Sequence, residues 1–234
     1  MIELSPNTDF IKGAVLLIDK PADWSSFDVV KKIRNLLCNK LEVKKIKVGH
    51  AGTLDPLATG LMIICTGKAT RDIESYQGMQ KEYETSFRLG QTTPSFDLET
   101  KVDKEYPTEH ISTELIHQTL EKFIGESEQL PPIFSAKRFK GKRAYEFARQ
   151  GKEIEMRPVI ITIHDVKFLD FQENMLRLRI LCSKGTYIRA LARDVGLALG
   201  SGAYMAELRR TAIGQFSVEN AMTPKNFEKM LNNM

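Results

Sequence analysis

The sequence predicts an α+β protein with a mixed, mainly antiparallel sheet flanked by helices and loops, and three observations carry that prediction. Tyr83, Thr85, Phe87 and Leu89 recur with strict period two, and Leu176, Leu178, Ile180 and Cys182 repeat the pattern, as half-buried strands require. Phe27, Val29, Val30, Ile33, Leu36 and Leu37 have helical spacing instead. Strand and helix signals are interspersed without regular βαβ periodicity, which argues against a doubly wound parallel sheet.

Taken in order, Gly13 to Asp19 (GAVLLID) is a short apolar run bounded by turn signals, and the helix after Pro21 can be capped by Ser25 or Ser26. Further strands are expected at Ile46–Val48, Leu61–Cys65, Tyr83–Leu89 and Val159–Ile163, and further helices at Ser112–Ile124, Ala144–Gln150 and Tyr187–Leu199. A Pro-Pro pair leads into a basic, Gly-containing stretch at about 131–157, which reads as an excursion from the core. No repeat, low-complexity tract or Pro/Gly/Ser-rich linker divides the 234 residues, so a single domain over 1–234 is expected.

Composition narrows the function classes. At 42% hydrophobic and 27% charged the chain can bury a full core without disulfides, and Cys38, Cys65 and Cys182 are odd in number and far apart, with neither C-x-x-C nor zinc-ligand spacing. A reducing cytoplasm fits that usage. The N-terminus MIELSPNTDF has no apolar run, and no stretch approaches about 18 apolar residues, so secretion and membrane spanning are not expected. Net charge is only +4, but its distribution is uneven. Residues 31–48 hold seven Lys/Arg against Glu42 alone, residues 131–157 hold eight against three acids, and residues 97–128 hold nine acids against three bases. Either basic stretch alone reads first as a solvated helix face.

Residues 49–60, GHAGTLDPLATG, and GKAT at 67–70 suggest a phosphate cradle, but a P-loop needs Gly five residues before its GK pair and Ser or Thr directly after it. Met62 and Ala69 occupy those places. No G-x-G-x-x-G, G-x-S-x-G or H-E-x-x-H is present, so common nucleotide, hydrolase and metalloprotease readings lose their handles. What remains is Asp55, between Leu54 and Pro56 in a tight turn joining two apolar strands. An Asp before Pro ordinarily just bonds its own backbone.

The segment GHAGTLDPLATGLMIICTGKATR closely resembles the aspartate-bearing motif of the TruB family, the bacterial tRNA pseudouridine synthases. Four other segments agree in order. Gly13 to Ser26 contains a D-K-P turn, and Lys81-Glu82-Tyr83 matches the K-x-Y that opens a strand. PPIFSAKRFKGKRAYEFARQG looks like the RNA-gripping insertion, and Cys182 to Phe216 like the closing catalytic segment. The likeness spans about residues 13–216 and implies a pseudouridine synthase catalytic fold. It makes Asp55 the catalytic nucleophile, gives Arg189 and Tyr83 catalytic parts, and lines the uridine pocket with His50, Tyr83, Tyr187 and Leu208. Asp23 stands where the family usually has Gly, a change that Asp tolerates because it visits left-handed backbone readily. Ala51 replaces a common Thr. Ser217 to Met234 are too few for the C-terminal RNA-binding (PUA) domain many members carry, so none is expected.

The chemistry the resemblance implies suits these residues. Uridine becomes pseudouridine when the C1′–N1 bond breaks and a C1′–C5 bond forms, with no redox change, so neither a cofactor nor a metal is expected. An anionic group such as Asp55 can bond reversibly to sugar or base, and Arg189 close by would favour its ionised form. Tyr83 and His50 offer planar faces for an unpaired base, and Tyr83 could also move a proton. Attack at C1′, attack at C6 and a glycal route remain open. A base flipped from a structured loop costs a few kcal/mol, which phosphate contacts from Lys20, Lys137, Arg138, Lys140, Lys142 and Arg143 are expected to offset. The resemblance implies the T stem-loop of tRNA as the partner, and a monomer is expected to bind it. The alternatives are a noncatalytic RNA-folding module on the same scaffold, or the same chemistry on another RNA. Replacing Lys137, Arg138, Lys140 and Lys142 by Gln is expected to weaken RNA binding and flatten its log–log salt slope by about 0.7 to 0.9 for each phosphate no longer neutralised. An unchanged slope in a filter-binding titration returns that stretch to a solvated face.

Overall fold

The computed structural model describes residues 5, 7–134, 138–139, 142–143 and 156–234. By their internal contacts they form two compact units, Met1–Tyr83 with Leu208–Met234, and Glu84–Glu207. The chain passes from one unit to the other inside two strands, Lys81–Leu89 and Ala203–Ile213, rather than through a linker.

In the first unit the central strand is Thr59–Thr66, whose run of apolar residues reflects burial on both faces. Val15–Lys20 pairs antiparallel along one edge, from Val15 opposite Cys65 to Lys20 opposite Gly60. The other edge takes Val48–His50 antiparallel at one end, and Arg209 and Arg210 in parallel register with Thr59 and Gly60 at the other. Leu61, Ile63 and Cys65 enter a cluster with Ala51 and Ile213, packed against Ile73, Tyr76 and Met79. Met62 and Ile64 point the other way by strand alternation and are equally buried.

Helix Ser26–Lys40 begins with a full capping box in which Ser25 and Asp28 bond each other's main chain, and it buries Val29, Val30, Ile33 and Leu37. A second helix, Pro224–Asn233, is capped by Thr223 and buries Phe227 and Leu231. It packs on Ser26–Lys40 and is joined to it by Lys32–Glu228 at 2.8 Å.

In the second unit the strand order is Lys81–Leu89, Met175–Cys182, Val159–Gln172, Gly125–Gln129. Val159–Gln172 and Met175–Cys182 form a long antiparallel hairpin closed by Glu173 and Asn174. Both turn residues have positive φ, 50° and 61°, as a two-residue type I′ turn requires. Helices Thr113–Glu121 and Ile188–Ala198 complete this unit.

Most expected elements are present, and the differences that bear on the site are these. The strand expected at Ile46–Val48 is Val48–His50, because its ladder partners are Ile64 to Thr66. The strand expected to end at Ile163 runs on to Gln172, and two register shifts break the alternation that would have revealed it. Ala203–Ile213 and Pro224–Asn233 are additional to the expected elements. The first carries charged residues where a strand signal needs apolar ones, and the second has few apolar residues beyond Phe227 and Leu231. The helix expected at Ala144–Gln150 lies outside the described residues, as do Lys137 and Lys140. Of the basic insertion, the described main chain is a small hairpin pairing Arg138 with Arg143 and Phe139 with Lys142. Among the described residues no helix is long and apolar enough to cross a membrane.

Gly60 is among the tightest points of the first unit. Its φ is +106°, and a Cβ there would stand 2.3 Å from the carbonyl oxygen of Arg210 and 2.6 Å from its nitrogen. Gly60→Ala therefore combines backbone strain with a clash that cannot be relieved by a side chain, and is expected to destabilise by about 3 kcal/mol. Gly78→Ala, where a Cβ meets nothing within 4 Å, is the control and should stay within about 0.5 kcal/mol. Urea unfolding of the two variants measures both.

Candidate active site

Asp55 sits in the loop between strands Val48–His50 and Thr59–Thr66. Its carbonyl accepts from the Ala58 N–H at 3.1 Å, which makes it the first residue of a turn whose central residues are Pro56 and Leu57. The side chain is half-buried. Few of the loop's peptide groups can reach a strand, and three buried side chains from elsewhere in the same unit satisfy them instead.

Ser26, only 3% exposed, accepts from the Leu54 N–H at 2.8 Å and donates to the Leu54 carbonyl at 3.0 Å. The ammonium of Lys20, at 0% exposure, donates to the carbonyls of Pro21, Trp24 and Pro56. Arg210, at 1% exposure, donates through Nε to the Leu61 carbonyl at 2.7 Å and through Nη2 to that of Gly52 at 3.1 Å. Gly52, Leu54 and Pro56 are thus all held, two residues apart, with Asp55 between the last two.

Lys20 is a correction to the sequence reading, which expects it to grip RNA. All three protons of its ammonium go to main-chain carbonyls away from solvent. The D-K-P turn explains this, because Asp19 turns its carboxylate to a bidentate pair with Arg209 at 2.8 and 3.1 Å while the next residue points inward. Burial pushes the Lys20 ammonium down to about 8, against an opposing pull from the negative charge of Asp55. Asp23, at the family's usual glycine position, adopts φ +63°, the left-handed conformation expected of it.

The other expected pocket residues of this unit are His50, Tyr83 and Leu208. His50 is mostly buried and its Nδ1 has no hydrogen-bond partner. Burial first, and the nearby Arg210 cation, hold its pKa below the ordinary value, although the Gly52 carbonyl favours the proton, so the ring is neutral at pH 7. Tyr83 is 8% exposed on the strand Lys81–Leu89, and Leu208 is half-buried on Ala203–Ile213.

Tyr187 and Arg189 belong to the second unit. Tyr187 is the N-cap of helix Ile188–Ala198, and the side chain of Gln129 brackets its main chain, accepting from its N–H at 2.8 Å and donating to its carbonyl at 3.1 Å. Arg189 pairs with the carboxylate of Asp97 at 3.2 Å, both side chains being only 5% exposed, and donates to the carbonyls of Ser95 and Phe134. The Asp97 carbonyl accepts from the hydroxyls of Thr93 and Ser95, and its carboxylate from the Glu99 N–H. This network fixes the guanidinium plane. Sequence reasoning misses Ser26, Arg210, Gln129 and Asp97 as site-building residues, because contacts between residues far apart in the chain have no spacing signature.

Deprotonation of Lys20 leaves two donors for three carbonyls, so the Pro56 tether should loosen above pH 8. The folded pKa lies below the value of about 10.4 expected when unfolded. Between about 8 and 10.4 the unfolded chain therefore binds more protons, and this group's contribution to stability rises with pH. Activity in single-turnover assays is thus expected to fall with an apparent pKa near 8 without a matching fall in Tm from this group. Lys20→Arg, which stays charged, should lose that alkaline limb. A flat wild-type profile from pH 7 to 9.5 refutes the coupling.

Comparison with known proteins places these features in a family. Residues 39–188 match the model of the TruB family pseudouridylate synthase N-terminal domain, and residues 189–233 match the tRNA pseudouridylate synthase B C-terminal domain. The chain is 52% identical over 223 residues to tRNA pseudouridine synthase B of Parabacteroides distasonis, covering 95% of each chain. It is 53% identical over 223 residues to the protein of that name from Phocaeicola vulgatus, again covering 95% of each. Among solved structures, 94% of the chain is similar to a protein in a structure of an H/ACA RNP bound to a substrate RNA containing 2′-deoxyuridine, with 27% identity and a TM-score of 0.67. The chain spans about half of that protein, 54% of its length. The motif around Asp55, the fold that holds it and these matches agree, and the chain belongs to the TruB family of pseudouridylate synthases.

Proposed function

We propose that this chain isomerises uridine to pseudouridine in tRNA, and that the base it takes is the T-loop uridine at position 55 of tRNA numbering. The observation that carries the reading is identity of about one half to curated tRNA pseudouridine synthases over 95% of both chains, beside the resemblance of the Asp55-bearing segment GHAGTLDPLATG to the family's motif. Asp55 is assigned as the nucleophile that holds the sugar or the base while the glycosidic bond is broken and remade. Its loop is held by the protein's own side chains, Ser26, Lys20 and Arg210, which favours a fixed carboxylate position.

His50, neutral at pH 7, and Tyr83 suit stacking on an uncharged base. By the resemblance to the family, Tyr187 and Leu208 are assigned to uridine binding as well. Arg189 is assigned an electrostatic part, and Asp97 with two carbonyls fixes its direction. The basic hairpin around Arg138, Lys142 and Arg143 is assigned to the RNA backbone, which favours the flipped-out base by offsetting its unstacking. The protein acts as a monomer in the cytoplasm in this reading.

Asp55→Asn is expected to abolish turnover while leaving tRNA affinity within about twofold, because shape is kept and the anion is lost. Mapping pseudouridine in tRNA incubated with the purified wild type and variant tests both halves of the reading. Retention of a tenth of wild-type activity removes Asp55 from the mechanism. Wild-type modification at another position or in another RNA, without modification of the T loop, reassigns the substrate. Arg189→Lys should be severely slowed, since a point charge replaces a planar fork.

A further inference from the structure

Helix Ser26–Lys40 starts with two adjacent serines that divide their work. Ser25 takes the capping role: its Oγ accepts from the Asp28 N–H at 3.1 Å, and its N–H donates to the Asp28 carboxylate at 2.9 Å. Ser26 is therefore not needed as a cap. Its hydroxyl instead bonds both main-chain groups of a single residue 28 positions away, the Leu54 N–H at 2.8 Å and the Leu54 carbonyl at 3.0 Å. We propose that Ser26 is a positioning residue for Asp55, its hydroxyl fixing the peptide unit from which the carboxylate side chain departs.

The reason lies in peptide geometry. The Leu54 carbonyl and the Asp55 nitrogen belong to one planar unit, so fixing the oxygen fixes the plane through which the chain enters Asp55. On the other side the Pro56 ring limits φ, and Lys20 takes the Pro56 carbonyl at 3.0 Å. Asp55 is thus bracketed, and the Asp–Pro bond further narrows its own backbone range. Of the two holders, the Lys20 ammonium is spread over three carbonyls, whereas the Ser26 hydroxyl makes two short bonds to one residue. Ser26 and Leu54 are each 3% exposed, so water has little access to replace the hydroxyl. An error of about an ångström in a nucleophile's position lowers the rate by up to about a hundredfold, while RNA held through other contacts notices nothing.

The inference rests on Asp55 as the nucleophile, and the test separates the two. Single-turnover isomerisation of a tRNA transcript at saturating enzyme is compared for wild type, Ser26→Ala, Ser26→Thr and Asp55→Asn, well below each variant's Tm, with tRNA Kd measured alongside. Ser26→Ala is expected to slow the step about tenfold to a hundredfold with Kd within about twofold, and Ser26→Thr, which keeps the hydroxyl, to recover most of the loss. A purely structural role lowers Tm and the fraction of folded enzyme but leaves the rate of the folded fraction unchanged. A wild-type rate in folded Ser26→Ala overturns the proposal. Should Ser26→Ala not fold, Ser26→Cys keeps the volume and bonds weakly. Slow turnover by folded Ser26→Cys supports the proposal, and a wild-type rate overturns it. An active Asp55→Asn defeats the nucleophile assignment itself, whereas an inactive Asp55→Asn beside a wild-type rate for Ser26→Ala defeats only the role of Ser26.

Discussion

Peptide groups taken out of water must be hydrogen-bonded, and the loop that carries Asp55 has few strand neighbours to bond. Much of the first unit's unusual chemistry follows from that requirement. A hydroxyl from a helix start, an ammonium from a strand end and a guanidinium from a parallel strand meet the needs of Leu54, Pro56 and Gly52. The donors have to come close, which is why Arg210 lies against the glycine at position 60, where its main chain would leave no room for a Cβ. The arrangement fixes a loop by side chains because extending the strands through it would have turned Asp55 into a ladder residue.

Using two cations for this task carries an electrostatic consequence. A buried ammonium or guanidinium is strongly disfavoured unless its charge is compensated, and main-chain carbonyls supply dipoles rather than a counter-charge. Burial lowers the proton affinity of Lys20, while the negative charges of Asp55 first, then of Asp23 and Asp28, raise it. Lys20 therefore acts on Asp55 in two ways, mechanically through the Pro56 carbonyl and electrostatically through its charge. His50 answers to the same field with the opposite sign, since the Arg210 cation discourages a proton on its ring.

How much of this is legible in the sequence depends on whether a residue's role leaves a pattern. Tyr83 to Leu89 and Leu176 to Cys182 are readable because alternation is a direct print of a half-buried strand. The Asp55 loop stands out only through its resemblance to a family, since an Asp before Pro is otherwise an ordinary turn residue. Lys20 misleads because a lysine in a turn normally faces solvent, and only the three-dimensional neighbourhood shows its ammonium meeting carbonyls from positions 21, 24 and 56. Ala203–Ile213 escapes notice because Arg209 and Arg210, adjacent and both charged, look like surface. In the structure they occupy opposite faces: one pairs with Asp19, and the other enters the core to reach Leu61 and Gly52.

The second unit solves a related problem with a different donor. Arg189 lies near the start of a helix whose first turn has no acidic residue, and no side chain caps that helix at Tyr187. Gln129 replaces the cap by bonding both main-chain groups of Tyr187, which ties the helix start to the strand Gly125–Gln129. Asp97 supplies the negative charge that a buried guanidinium needs, and Thr93 and Ser95 hold the Asp97 main chain in turn. Removing only the carboxylate of Asp97 would leave a buried cation with carbonyl dipoles alone, a larger loss than exchanging one surface pair. Asp97, which lies in none of the family-like segments, is therefore the acidic partner that holds the direction of Arg189 together with the carbonyls of Ser95 and Phe134.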